Sequence, residues 1–362
     1  MKVMILRSVD VPPDPKPLKV KRVLKKAGYD VKIISWKRMF KDLRDPDSIY
    51  FELKSGYGKG LRNLFGMLTW NLFVFFKLLA SNYDVVHAFD LDTGMSALLA
   101  SKIKRKKIVY EILDLYSQSR RIPKILKRLA DILERFVANR SDVLVIPDER
   151  RIDQIRNIGI KRYPEVLYNT VEDIYPVECQ RNGTRILSYV GILQPDRGVL
   201  EIARIIADIP NWRMVIAGFG PLEEKVRKLA NEHDNLMFLG RVSHEKALEI
   251  EGCSDAILAV YKPSVENNRF SSPNKFFEAL MLGVPLIVIK GSGIDEIVEK
   301  YGIGVVIGSM EPKEIQKALE RIEKDGMNMA VKARKLYREK FSWSGFEETL
   351  LRIYRSLGGD IR

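Results

Sequence analysis

The sequence predicts an α/β protein built from two doubly wound domains, each a parallel sheet covered by helices on both faces. Three observations carry this. The chain has 362 residues, enough for two full cores. Short all-apolar runs alternate with amphipathic stretches, as in strands buried on both faces. A connector at 171–184, with Pro176, Asn182 and Gly183, is followed by a second strand–helix series. The expected boundaries are 1–172 for the first domain and 184–343 for the second, with 344–362 packing back on the first. The two domains are expected to face a cleft.

Val3 to Leu6 reads as a strand, Leu18 to Ala27 as an amphipathic helix stopped by Gly28, and Val31 to Ser35 as the next strand: a right-handed βαβ opening. The first turn, Arg7 to Pro15, is proline-rich and lacks Gly-x-Gly-x-x-Gly, which argues against a dinucleotide clamp. Residues 39–60 read as a mobile polar excursion ending in Gly56-Tyr-Gly-Lys-Gly60, either a basic loop able to close over an anionic acceptor or a plain connector. Leu61 to Ala80 is the most apolar helix, and its uncharged run from Asn63 to Phe76 is fourteen residues, too short to span a bilayer. A buried helix is the first reading and an interfacial membrane contact the second.

Tyr83 to Asp90 is a strand whose carboxyl end would deliver His87 and Asp90 to the crevice where open α/β sheets bind ligands. A histidine at such a place is more often a strand residue packed in the core. After a helix from Gly94 to Lys102 comes the strand Lys107 to Ile112, with Asp114 just beyond it. Asp90 and Asp114 thus finish two strands at one edge, placed to orient or deprotonate an acceptor hydroxyl. Asp90-Leu-Asp92 has the form of a metal-binding pair in a different context, and no metal is expected. The long helix Ile122 to Asn139 gathers Arg120, Arg121, Lys124, Lys127 and Arg128 at its start, against its own dipole, which suits an external anion such as a lipid phosphate. Asp142 to Pro147, Glu149 to Ile158 and Glu165 to Asn169 complete this half.

In the second half the strands are Ile186 to Val190, Trp212 to Ala217, Leu236 to Leu239, Ala256 to Tyr261, Leu286 to Ile289 and Gly302 to Ile307, with helices from Glu311 to Phe341 and a last one from Ser344 to Leu357. Gly218 and Gly220 permit close backbone approach at a helix start, a place that accepts a phosphate or a base. The stretch 271–293 reads as helix, sharp stop and buried strand: Ser272 can cap, Pro273 suits the first helical position, and Gly283 ends the helix. Lys275 then falls in the first turn, where a cation costs roughly 0.3 to 1 kcal/mol unless an anion lies beside it. Asn274, Lys275 and Glu278 can project from one edge, so that the lysine holds a diphosphate and the carboxylate accepts from a ribose diol. A surface Lys–Glu pair at helical spacing is the plain alternative.

The run Ser-Pro-Asn-Lys-Phe-Phe-Glu-Ala-Leu-Met-Leu-Gly-Val-Pro-Leu-Ile resembles the donor-site signature of glycosyltransferase family 4, whose members have the GT-B fold: two Rossmann-like domains facing a cleft. The residues from Gly28 to Arg38 resemble one branch of the family. Gly191-Ile-Leu-Gln-Pro-Asp-Arg-Gly198 is similar to the loop that opens its second domain, and Glu165 to Asn169 to its asparagine-ended strand before the hinge. The resemblance implies that Glu278 binds the nucleotide ribose and that the helix start at Ser272 and Asn274 holds the diphosphate. It further implies that Arg197, in the loop opened by Gly191, touches the diphosphate, and that the turn with Arg241 and Val242 reads the base. A functional histidine near His87 is frequent in the family. Three positions and one turn depart from the pattern: Phe270 replaces a second glutamate that contacts the donor sugar, Ile192 a basic residue, Phe89 a second histidine, and the first turn is not glycine-rich.

Taken together, the expectation is a retaining, metal-independent transfer of a sugar from a nucleotide-diphosphate sugar to a hydroxyl acceptor, lipid-linked or a surface-glycan precursor. Arg197, Lys275, Asp114, Asp90 and His87 are the catalytic candidates, and no cofactor is expected beyond the donor substrate. A sugar-nucleotide epimerase of the same fold is one rival. A non-enzymatic RNA- or membrane-binding protein is another, and it would leave Lys275, Glu278 and Arg197 incidental.

Composition bounds these readings. With 46% apolar and 30% charged residues the chain is globular and not disordered. The net charge of +14 is concentrated: residues 16–44 hold eleven Lys/Arg against two acids, and residues 101–140 hold twelve against four. Nucleic acid, an anionic membrane surface, a phosphorylated acceptor or simple solvation could each explain such a first half; of these partners, nucleic acid is not the one expected. Cys179 and Cys253 form no recognisable disulfide or metal pattern, and the histidines are scattered. Met1 to Leu6 is too short for a signal peptide. A reducing cytoplasmic setting, with a possible peripheral place at the inner face of the membrane, is therefore expected.

Overall fold

The computed structural model describes residues 1–11, 14–38, 44–53, 61–120, 122–179 and 183–358, with the backbone alone at 61–64. The chain divides into two compact units, residues 1–168 with 346–362, and residues 169–345.

The first unit is a seven-stranded parallel sheet of β1 (Lys2–Arg7), β2 (Asp30–Trp36), β3 (Ser48–Phe51), β4 (Val85–Phe89), β5 (Lys107–Glu111), β6 (Val143–Ile146) and β7 (Glu165–Val166), in the order β3-β2-β1-β4-β5-β6-β7. Its helices are α1 (Pro15–Lys26), α2 (Leu61–Ala80), α3 (Leu91–Lys104), α4 (Tyr116–Ser119), α5 (Lys124–Arg140) and α6 (Arg151–Asn157). Strand alternation sends Val86 and Ala88 into the core shared with α2, α3 and α5. The polar excursion expected over 39–60 is corrected in part. Ser48–Phe51 forms an edge strand parallel to β2, because Phe51 packs its ring against Trp36 and Trp70, at 5.6 and 5.8 Å between centroids. The Gly56–Gly60 loop lies outside the described residues, as do Arg121 and Asn182.

The second unit is a six-stranded parallel sheet of β8 (Arg185–Val190), β9 (Trp212–Ala217), β10 (Leu236–Phe238), β11 (Ala256–Leu258), β12 (Leu286–Ile289) and β13 (Gly304–Ile307), ordered β10-β9-β8-β11-β12-β13. Around it lie α7 (Val199–Ala207), α8 (Glu223–Glu232), α9 (His244–Gly252), α10 (Asn274–Leu282), α11 (Ile294–Tyr301) and the 29-residue α12 (Pro312–Lys340). The last helix, α13 (Trp343–Ser356), belongs to the first unit from Phe346 onward.

The cysteines need a correction. Cys179 and Cys253 are joined in a disulfide, with their Cα atoms 5.4 Å apart across a sequence separation of 74. The connector reaches α9 because Gly252 leaves room for it: a Cβ there would meet the Val177 side chain at 2.9 Å. The inference from free thiols to a reducing compartment therefore falls away. We expect native protein to show no free thiol, and reduction to lower its stability by about 3 kcal/mol. Titration of thiols before and after unfolding, with urea midpoints in both redox states, checks this.

Candidate active site

The order of the second sheet reverses between β8 and β11. At such a switch point flanking connections leave to opposite sides and open a crevice beyond the strands' carboxyl ends. Lys275 stands there. Its Nζ donates to the carbonyl of Leu258, the last residue of β11, at 3.1 Å, and lies 3.7 Å from the ring centroid of Tyr189 in β8. The ammonium is buried, and burial pulls its pKa down while Glu251 and Glu278 hold it up. The helix that carries it begins one residue later than expected. Pro273 is the N-cap of α10 in an extended conformation and its own side chain gives no capping hydrogen bond, while the Ser272 carbonyl accepts from Asn169 Nδ2 at 3.0 Å. Its first amides and the positive end of its dipole thus stand at the same place as the lysine.

Glu278 lies one turn further along α10, nearly buried, with His244 Nδ1 3.7 Å from its Oε1. Arg197 ends a short 3-10 turn, Pro195–Arg197. Its guanidinium lies 4.2 Å from the Tyr261 ring centroid, and Nη1 donates to Asn268 Oδ1 at 3.3 Å. Asn268 in turn donates to Asp196 at 3.0 Å, so the two loops that flank Arg197 are tied through one amide. The glycines have a sharper reason than ligand approach. A Cβ on Gly218 would sit 1.8 Å from the Gly191 carbonyl oxygen, so the loops after β8 and β9 cross backbone against backbone, and Gly220 meets Leu193 in the same way. Gly218 N donates to Gly240 O at 2.7 Å, which brings the turn with Arg241 and Val242 alongside; Arg241 lies 5.3 Å from the Phe219 ring centroid.

In the first unit the switch point falls between β1 and β4. Asp90, just past β4, has a positive φ of 59°, unusual for a residue with a Cβ. Its carboxylate is engaged: Oδ1 accepts from the amides of Leu113 and Asp114 at 2.8 and 3.2 Å, and Oδ2 from Arg7 at 2.5 Å. Asp114 is half-exposed and accepts from Arg151 Nη2 at 2.9 Å. Asp92 takes Ser8 Oγ at 2.9 Å and Arg120 at 2.6 Å. The expectation that β4 delivers His87 to the crevice is corrected. His87 lies inside the strand, fully buried, on the face covered by α1 and α13. Its Nδ1 lies 2.9 Å from Tyr354 Oη and its Nε2 3.0 Å from Glu111, which also pairs with Lys16 at 3.1 Å.

Two family models cover most of the chain. "Glycosyltransferase Family 4" matches residues 18–173, and "Glycosyl transferases group 1" matches residues 173–340. The chain belongs to the group 1, family 4 glycosyltransferases. It is 26% identical over 259 residues to the O-antigen biosynthesis glycosyltransferase WbnH of Escherichia coli, covering 67% of this chain and 69% of that one. Among solved structures it is similar to sucrose-phosphate synthase from Thermosynechococcus elongatus, with a TM-score of 0.76, 16% identity and 99% of each chain covered. It is also similar to Anabaena HepE in complex with UDP, with a TM-score of 0.72, 15% identity, and 98% and 100% covered. The fold is accordingly GT-B.

Several residues packed around the candidate site escaped the sequence reading. Glu251 in α9 is 1% exposed beside Glu278, and burial together with that neighbour pushes it well above the usual carboxylate range. A signal was present: Glu251 falls three and four residues after Leu248 and Ala247, on the apolar face of its helix. Tyr189, Tyr261 and Asn268 carried no such signal, because a strand tyrosine and a loop asparagine are ordinary where they stand.

Proposed function

We propose that this glycosyltransferase moves a sugar, with retention of configuration, from a nucleoside-diphosphate sugar to a hydroxyl acceptor, and that its second unit holds the donor. The observation that carries the reading is Lys275, a buried cation at a sheet switch point and in the first turn of a helix. Departure of a diphosphate from the anomeric carbon develops negative charge on phosphate oxygens. Lys275, Arg197 and the first amides of α10 supply fixed positive charge for it without a metal or a protein nucleophile. Glu278 accepts from the ribose hydroxyls, with the buried Glu251 carboxyl packed beside it. Asp114 orients the incoming hydroxyl, and Asp90 acts as a positioning residue by holding the amides of Leu113 and Asp114. A lipid-linked or surface-glycan acceptor agrees with the relative named for O-antigen biosynthesis, and the UDP in the HepE structure makes uridine donors the first to try.

Thermal stabilisation by a panel of nucleoside diphosphates and their sugars tests the reading, since a ligand at 100 times its Kd adds about 2.7 kcal/mol. One base is expected to stabilise the protein, and Glu278→Ala to erase the effect. If no uridine, guanosine or adenosine diphosphate derivative binds, the assignment fails. Turnover of donor with no acceptor present would mark the epimerase instead.

A further inference from the structure

We propose that the outward faces of α2, α3 and α5 form a surface that docks the first unit on an anionic lipid bilayer. The three helices lie side by side over one face of the sheet, α3 packing against both of the others. On α2, Trp70, Val74 and Leu78 are fully buried, yet Phe65, Leu68, Leu72 and Phe76 are 63%, 60%, 48% and 62% exposed. Spaced three or four residues apart, the second set forms a single stripe on the side away from the sheet. The same pattern holds on α5, where Ala130, Val137 and Ala138 point inward while Ile125, Leu129 and Ile132 stand 76%, 50% and 50% exposed. Leu99 and Ile103 of α3, also exposed, lie on the helix between. A helix apolar on two opposite sides is adapted to covering on both.

Charge decides what covers it. Lys102, Arg105, Lys124 and Arg128 are exposed on or beside the same helices. The acids of these helices are withdrawn: Asp92 and Glu134 are buried, Asp131 is half-buried, and α2 has none. A second copy of the chain seated here would set cation against cation, whereas a layer of anionic headgroups complements the cations and its acyl chains accept the stripes. No helix among the described residues is long and apolar enough to cross a membrane, so the contact is interfacial. The proposal does not depend on the donor assignment.

Flotation of the full chain with extruded vesicles tests it, comparing pure phosphatidylcholine with a mixture containing about one third phosphatidylglycerol. Binding to the anionic vesicles is expected to exceed binding to the neutral ones at least tenfold and to fall in high salt. The triple variant Leu72→Ser, Phe76→Ser, Leu129→Ser is expected to lose about tenfold or more with an unchanged melting temperature. Lys124→Gln with Arg128→Gln, which leaves the packing alone, is expected to reduce the preference for anionic lipid. The proposal is overturned if wild type ignores anionic vesicles, or if both variants bind them as wild type does. It is equally overturned if wild type is a dimer in solution that the triple variant dissociates while vesicle binding persists.

Discussion

Lys275→Met is expected to lower kcat/KM for the donor by about 10³-fold, roughly 4 kcal/mol of barrier, while the protein stays folded. Methionine keeps an unbranched stem against the Tyr189 ring, over which the ammonium now sits at 3.7 Å, and removes only the charge and the bond to the Leu258 carbonyl. The pH profile separates a lost charge from lost packing. Because burial lowers Lys275 from its ordinary value against the pull of Glu251 and Glu278, the free enzyme loses this cation at a lower pH than an exposed lysine would. The alkaline limb of kcat/KM reports that loss, so activity falls as pH rises, and the methionine variant lacks the limb. Initial rates against donor concentration across pH decide the matter. A variant with wild-type kcat/KM removes Lys275 from the mechanism.

The second large effect concerns stability. Glu134 in α5 is buried, accepting from the Tyr110 hydroxyl and, at 3.3 Å, from the amide of Tyr116. Burial raises it from 4.5 to about 8, with the Tyr110 bond working against the rise. The sign follows from proton counting. Between those values the unfolded chain has released this proton and the folded chain still holds it, so raising the pH favours unfolding across that window. Below about 4.5 the group costs nothing; above about 8 the loss is complete, near 5 kcal/mol at one unit per 1.36 kcal/mol. Glu134→Gln cannot titrate. We expect the stability difference, variant minus wild type, to grow steadily from pH 5 to pH 8 and then level, as measured by urea midpoints. Parallel profiles for the two proteins would show that Glu134 ionises in the folded state as it does in the unfolded one.

The candidate cluster in the second unit was legible because its parts are neighbours in the chain. Asn274, Lys275 and Glu278 lie within five residues, and helical spacing alone sets them on one edge. The helix start moved from Pro273 to Asn274 without separating them. Strand runs were equally readable, since a parallel sheet covered on both faces demands continuous apolar residues. The candidates of the first unit were harder. Whether His87 faces a crevice or a core depends on which helix covers its side of the sheet, and Tyr354, which closes over it, is 267 residues away. Asp90 reads as a free carboxylate until the amides of Leu113 and Asp114 are brought to it.

From the sequence alone came the α/β class, two strand–helix series with a connector between them, the resemblance to family 4 and the cluster at the start of α10; each rests on periodicity or on a short contiguous motif. Only the tertiary structure decided that Cys179 meets Cys253, that Phe51 belongs to a strand, that Glu251 is buried beside Glu278, and that α2 and α5 carry apolar stripes pointing away from the sheet. The physical reason is one of range. Local patterns fix what a segment can become, whereas burial, pairing and protonation depend on neighbours that the chain brings together from tens to hundreds of residues away.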